Sequence, residues 1–198
     1  TAANTELAIN GLSVTFVFMD STKGWSFIND DTTKETGEAF VAATGGTVTT
    51  VCTNFKVHTF TGPGTFCVSN AGNSGGSNTV DYLVVAGGGG GGSNDGGGGG
   101  GAGGYRESSG AASGCYTASP LGSGVAALPV SVQGYAIVVG GGGTPTTCSS
   151  NGPGGSGINS TFSTITSTGG GGGAQFNTAL PAGGPKSGGS GGGGGGRT

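Results

Sequence analysis

The sequence predicts an all-β protein in two parts, an antiparallel β module over residues 1–79 and a glycine-rich domain over residues 80–198, with no α-helix of note. Three observations carry this expectation. Of 198 residues, 52 are Gly, roughly fourfold the usual share of about 7%. The glycines are uneven, with 10 in residues 1–86 and 42 in residues 87–198. Apolar residues come in short β-branched and aromatic pieces, several of which lead straight into runs of glycine. An interior Gly costs a helix about 1 kcal/mol relative to Ala, so no long helix survives this composition. Collagen is excluded, because the glycines come in runs and not at every third position beside abundant Pro.

Taken in chain order, Leu12 to Met19 is rich in β-branched and aromatic residues, Asp20 to Gly24 is turn chemistry, and Trp25 to Ile28 resumes a strand. Thr47 to Val51 is a further strand. Phe55 to Phe60 and Thr65 to Val68 flank Thr61-Gly62-Pro63-Gly64 and predict a hairpin, with Phe60 and Phe66 as a cross-strand pair. In the second part, Val80 to Ala86 runs into Gly87–Gly92, Gln133 to Val139 into Gly140–Gly143, and Ser160 to Thr166, after two more residues, into Gly169–Gly173. Gly96–Gly101 and Gly191–Gly196 lack such a lead-in. A strand feeding polyglycine three times over is a repeat with an architectural meaning.

Polyglycine has two physical options. As a coil it is a flexible linker. As an extended helix of three residues per turn, rising ~3.1 Å per residue, it leaves every amide and carbonyl free to bond a neighbouring helix. Ordering Gly costs more backbone entropy than ordering any other residue, so a single run stays loose while several runs anchored by strands hold one another. Five runs between turn-rich connectors favour a bundle of polyglycine II-type helices over the linker.

Net charge is −3, with only 6 Lys plus Arg. That excludes a basic patch able to displace counterions from phosphates, and nucleic acid is not an expected partner. No apolar run reaches the ~18–20 residues of a membrane helix, and no signal peptide is visible. The first residues, Thr1-Ala2-Ala3, suggest a processed product or part of a longer chain.

Residues with chemistry are few. His58 lies mid-strand without spaced partners and reads as a half-buried strand residue. Asp30-Asp31 and Asp81 lack the spaced oxygen ligands of a Ca²⁺ loop. The glycines after Val84-Val85-Ala86 open no helix, and neither does Gly183-Gly184-Pro185-Lys186-Ser187, so the dinucleotide and phosphate-loop readings fail. No enzyme activity, metal or cofactor is expected. Cys52, Cys67, Cys115 and Cys148 form no C-x-x-C pair. Their even number predicts the disulfides Cys52–Cys67 and Cys115–Cys148, with four free thiols as the open alternative. Tyr82 and Tyr135 precede apolar runs and read as packing residues. Tyr105, Arg106 and Tyr116 fall in connectors and are the candidate receptor contacts. Asn159-Ser160-Thr161 matches a glycosylation acceptor.

Val80-Asp81-Tyr82-Leu83-Val84-Val85-Ala86, the polyglycine that follows and Gly103-Gly104-Tyr105-Arg106 together resemble the glycine-rich domain of bacteriophage tail-fibre and virion structural proteins, marine phages especially. The Val57 to Phe66 segment and Tyr135-Ala136-Ile137-Val138-Val139-Gly140 fit the same pattern. Leu12 to Trp25 resembles a short β module that recurs along such fibres. The resemblance implies a virion or extracellular location, a homo-oligomer with a trimer favoured, and polyglycine helices packed as a sandwich. It also implies recognition loops that meet a host-surface glycan or protein. The small, polar connectors and the four cysteines depart from that pattern. The alternative reading is the subunit of a microbial extracellular filament assembled by strand pairing.

Overall fold

The computed structural model describes residues 16–22, 24–27, 39–93, 96–108, 125–147, 152–176 and 184–196. Among them the regular elements are all strands: β1 (Phe16–Asp20), β2 (Gly24–Phe27), β3 (Val41–Thr44), β4 (Thr47–Val51), β5 (Phe55–Thr59), β6 (Gly64–Ala71), β7 (Thr79–Val80), β8 (Leu83–Val85), β9 (Tyr105–Glu107), β10 (Leu128–Pro129), β11 (Gly134–Val138), β12 (Ser160–Phe162) and β13 (Ile165–Ser167). Every sheet is antiparallel. The largest has the order β13-β12-β11-β6-β3, and β1-β2, β4-β5, β7-β10 and β8-β9 form separate two-stranded sheets. β3 and β6 precede residue 79 while β11, β12 and β13 follow it, so the main sheet draws on both parts of the chain.

Alternation along the strands places the core. On β6, Phe66 and Val68 point inward while Thr65, Cys67 and Ser69 are exposed. Phe66 and Val68 join Val84, Val130, Tyr135 and Phe162 in one buried cluster, with Tyr82, Ile137 and Ile165 packed against it. The Phe66 ring meets Phe162 edge-on at 5.9 Å and His58 edge-on at 5.1 Å, and Tyr82 meets Phe162 at 6.5 Å. Such edge-to-face contacts add about 0.5–1.5 kcal/mol to the burial of the rings.

Two sequence expectations are corrected here. The hairpin across Gly62-Pro63 does not form. β5 pairs with β4, Val51 opposite Phe55, and β6 pairs with β3 and β11, Phe66 opposite Tyr135. The β4–β5 turn uses Cys52 and Thr53 at φ 48° and 69°, a left-handed backbone without glycine. Phe60 instead covers the corner made by Gly45, Gly46 and Gly64, where its ring leaves little room for a Cβ. Ser160 to Thr166 is not one strand but the hairpin β12–β13, turning at Ser163 with φ 53°.

The glycine segments carry no strand pairing of their own, yet their backbones bond one another at every third residue. Within 86–93, Ala86, Gly89 and Gly92 donate to Gly104, Gly101 and Gly98. Gly87, Gly90 and Ser93 donate to Ile158, Gly155 and Gly152. The same segment accepts from Gly170, Gly173 and Phe176 at Gly87, Gly90 and Ser93, and from Gly143 and Thr146 at Gly88 and Gly91. Segment 86–93 therefore has four neighbours, two running antiparallel to it and two parallel. Gly98, Gly101 and Gly104 in turn donate to Ala174, Gly171 and Thr168. Residues 169–174 are all buried.

At many positions the spacing between these segments admits no side chain. A Cβ at Gly89 would land on the carbonyl of Gly171, and one at Gly92 on that of Ala174. Positive φ among the described glycines is confined to Gly45, Gly46 and Gly72, so the runs need Gly for room and not for left-handed backbone.

Candidate contact surface

β8 and β9 stand at one end of segments 86–93 and 96–104, as direct continuations of them. Their ladder pairs Leu83 with Glu107, Val84 with Arg106 and Val85 with Tyr105, and the next bond, Ala86 to Gly104 at 2.9 Å, begins the three-residue spacing. Ser167 of β13 ties this sheet down, its Oγ donating to the Val84 carbonyl at 2.7 Å. Val84 faces inward at 8% exposure, while Leu83, Val85 and Tyr105 are 61%, 53% and 52% exposed.

Register partners on an antiparallel ladder share a face, so Leu83, Val85 and Tyr105 form one apolar strip. Polar bonds fix its rim. The Tyr105 hydroxyl donates to Glu107 Oε2 at 2.6 Å, on a carboxylate that is 8% exposed. Asp81 Oδ1 accepts from Ser108 Oγ at 2.7 Å, and that oxygen accepts from the Tyr82 amide at 3.0 Å. The arrangement suits contact with a surface having both apolar and hydroxylated groups, because the tyrosine ring is held without freezing a long side chain.

Tyr105 and Arg106 therefore lie in a strand and not in a connector. Successive strand residues point to opposite faces, so Arg106, although exposed, does not join Tyr105 on the strip. Tyr116, Cys115, Cys148 and Asp30-Asp31 lie outside the described residues. Sequence reasoning missed Leu83 and Val85 as exposed apolar residues beside Tyr105. The signal was their alternation with buried Val84, which an apolar run of Leu-Val-Val conceals.

His58 is a packing residue. Its Nδ1 lies 2.8 Å from the Gly45 carbonyl, which can only accept, so Nδ1 carries the proton. Tyr135 is buried in the core and Tyr82 packs against it, both packing residues as read from the sequence. The Tyr135 hydroxyl is held below the ordinary tyrosine value by the Gln133 side chain and by the Ser131 hydroxyl and amide, against the burial that opposes ionisation. Asn159 turns its side-chain carbonyl to the Gly169 amide at 2.9 Å.

The Cys52–Cys67 bridge is corrected: Cys67 is a free, exposed thiol. The reason is topological. Cys52 turns the β4–β5 hairpin, whereas Cys67 sits mid-strand in the main sheet between Thr44 of β3 and Gly134 of β11.

The glycine-rich domain family matches residues 61–198, from just before β6 to the end of the chain. The protein belongs to that family. Neither a curated protein nor a solved structure matches it.

Proposed function

We propose that this glycine-rich protein is a non-enzymatic structural and adhesive part of a phage tail fibre, and that its glycine segments pack as a bundle of polyglycine II-type helices. The observation that carries the reading is the backbone bonding repeated at every third residue between segments, the period of a helix with three residues per turn. Such a bundle is a stiff post built without side chains. It is suited to holding the strip Leu83, Val85 and Tyr105 toward a host-surface glycan or protein outside the cell. Many copies on one particle then add weak contacts through avidity.

Two experiments test this. Mass spectrometry of purified phage particles that carry the gene should find the chain, and antibody to it should label the fibre; its absence from particles ends the tail-fibre reading. Replacing Leu83 and Tyr105 by Ser and Ala should lower host adsorption at least tenfold with assembly intact, and unchanged adsorption removes the strip from the account. A second reading, the subunit of a microbial extracellular filament, is favoured by open glycine segments on two sides of the array.

A further inference from the structure

Two glycine segments end the array with bare backbone outward. In 191–196, Gly193 and Gly196 donate inward to Gly99 and Gly96, while the amides of Gly191, Gly194 and Gly195 make no bond within the described chain. Gly191, Gly193, Gly194 and Gly196 are exposed, and a Cβ at Gly194 would meet nothing within 4 Å. In 140–143, Gly143 donates inward to Gly88, Gly141 accepts from Ile158 and Gly140 donates to Ser160 Oγ, while the amides of Gly141 and Gly142 make no bond within the described chain. Gly141 and Gly142 are exposed, and a Cβ at Gly141 also meets nothing within 4 Å.

The other outer segments differ. Ala102 exposes its methyl on 96–104, and Ser156 and Ile158 expose side chains on 152–159. The two bare segments also bond to different neighbours, 140–143 to 86–93 and 152–160, and 191–196 to 96–104, 168–176 and Lys186. They are therefore separate edges of one array.

We propose that segment 140–143 of one copy bonds to segment 191–196 of the next, so that these edges carry self-association of the chain. A naked backbone with donors and acceptors at a three-residue spacing is matched by a partner that is equally naked, because at positions such as Gly89 and Gly92 inside the array a Cβ already reaches a neighbouring carbonyl. The chain itself supplies such a partner. Both polarities already occur between its segments, so neither direction of approach is excluded. Exposed Val138 and Ile158 beside 140–143, 43% and 60% exposed, add apolar surface at that edge. Because the contact joins two different edges, it generates a ring if the rotation closes and an open row if it does not.

This inference rests on the packed-segment reading above, and its test separates the two. Sedimentation of the full chain is followed with the exposed Cys67 thiol alkylated, so that it cannot cross-link copies. The parent should grow in mass with concentration. Gly141→Val and Gly194→Val should each weaken association at least tenfold with an unchanged melting temperature. An equimolar mixture of the two variants should stop at two copies, since each retains the edge the other has lost. If the valine variants melt lower, Gly141→Ala and Gly194→Ala carry the same test with a smaller group. A parent that stays single at every concentration, variants that associate like the parent, or a mixture that stays single would each overturn the proposal. Uniformly fast amide exchange in the runs would instead defeat the packing reading itself.

Discussion

At Gly89 an added Cβ would land on the Gly171 carbonyl, whereas at Gly99 it meets nothing within 4 Å. The two positions are one residue type in one kind of run, so they isolate space from composition. Gly89→Ala should cost about 3 kcal/mol or more, because backbone on both sides must move apart. Gly99→Ala should stabilise by about 0.4–1 kcal/mol, since it restricts the unfolded chain and meets nothing in the folded one. Urea unfolding of the two variants reads both signs, and equal effects would mean that the segments are not in contact. Thr53 poses the reverse problem, a β-branched residue at φ 69° in the β4–β5 turn. Left-handed backbone costs a side-chain-bearing residue about 1–2 kcal/mol, so Thr53→Gly should stabilise by about 1 kcal/mol after the added entropy of the unfolded chain. Tyr135 ties stability to pH. Its folded pKa lies below the 10.0 of the free side chain, so between those values the unfolded chain binds more protons and stability from this group rises with pH. Tyr135→Phe should flatten that rise, and an unaltered alkaline profile would show that the hydroxyl is not so held.

Among elements, Phe162 on β12 meets Phe66 of β6, Tyr135 of β11 and Tyr82 beside β8, joining the main sheet to the strand that enters the glycine segments. Phe162→Ala should cost about 3–5 kcal/mol. Phe18→Ala, on the exposed face of β1, should stay within about 0.5 kcal/mol; similar losses at both would misplace the core. β4 and β11 were legible because Thr47 to Val51 and Tyr135 to Val138 concentrate β-formers between turn residues. The partners of β6 were not. Gly62-Pro63 is a strong local turn signal, but Phe66 pairs with Tyr135, far along the chain, and local signals carry no information on such contacts. The β12–β13 turn was hidden for another reason: Ser163 and Thr164 turn it without Gly, Pro or Asn. Of the exposed apolar strip, Tyr105 was visible as an aromatic beside polyglycine. The pairing that sets Val85 opposite it depends on segments 86–93 and 96–104 lying side by side.

For the whole molecule, the apolar core is a small cluster at the strand-rich end, and the remainder leans on backbone bonds. Each such bond contributes about 0.5–1.5 kcal/mol net, so the cohesion of the glycine part rests on their number and repetition. That same repetition underlies the proposed fibre role and the proposed contact between copies. Amide hydrogen exchange of the intact chain, resolved residue by residue, tests it most directly. Along 96–104 the buried donors Gly98 and Gly101 should be protected, and the exposed Gly99 and Gly100, whose amides donate no bond within the described chain, should exchange freely, repeating the three-residue period. Fast and uniform exchange from Gly96 to Gly104 would contradict the account.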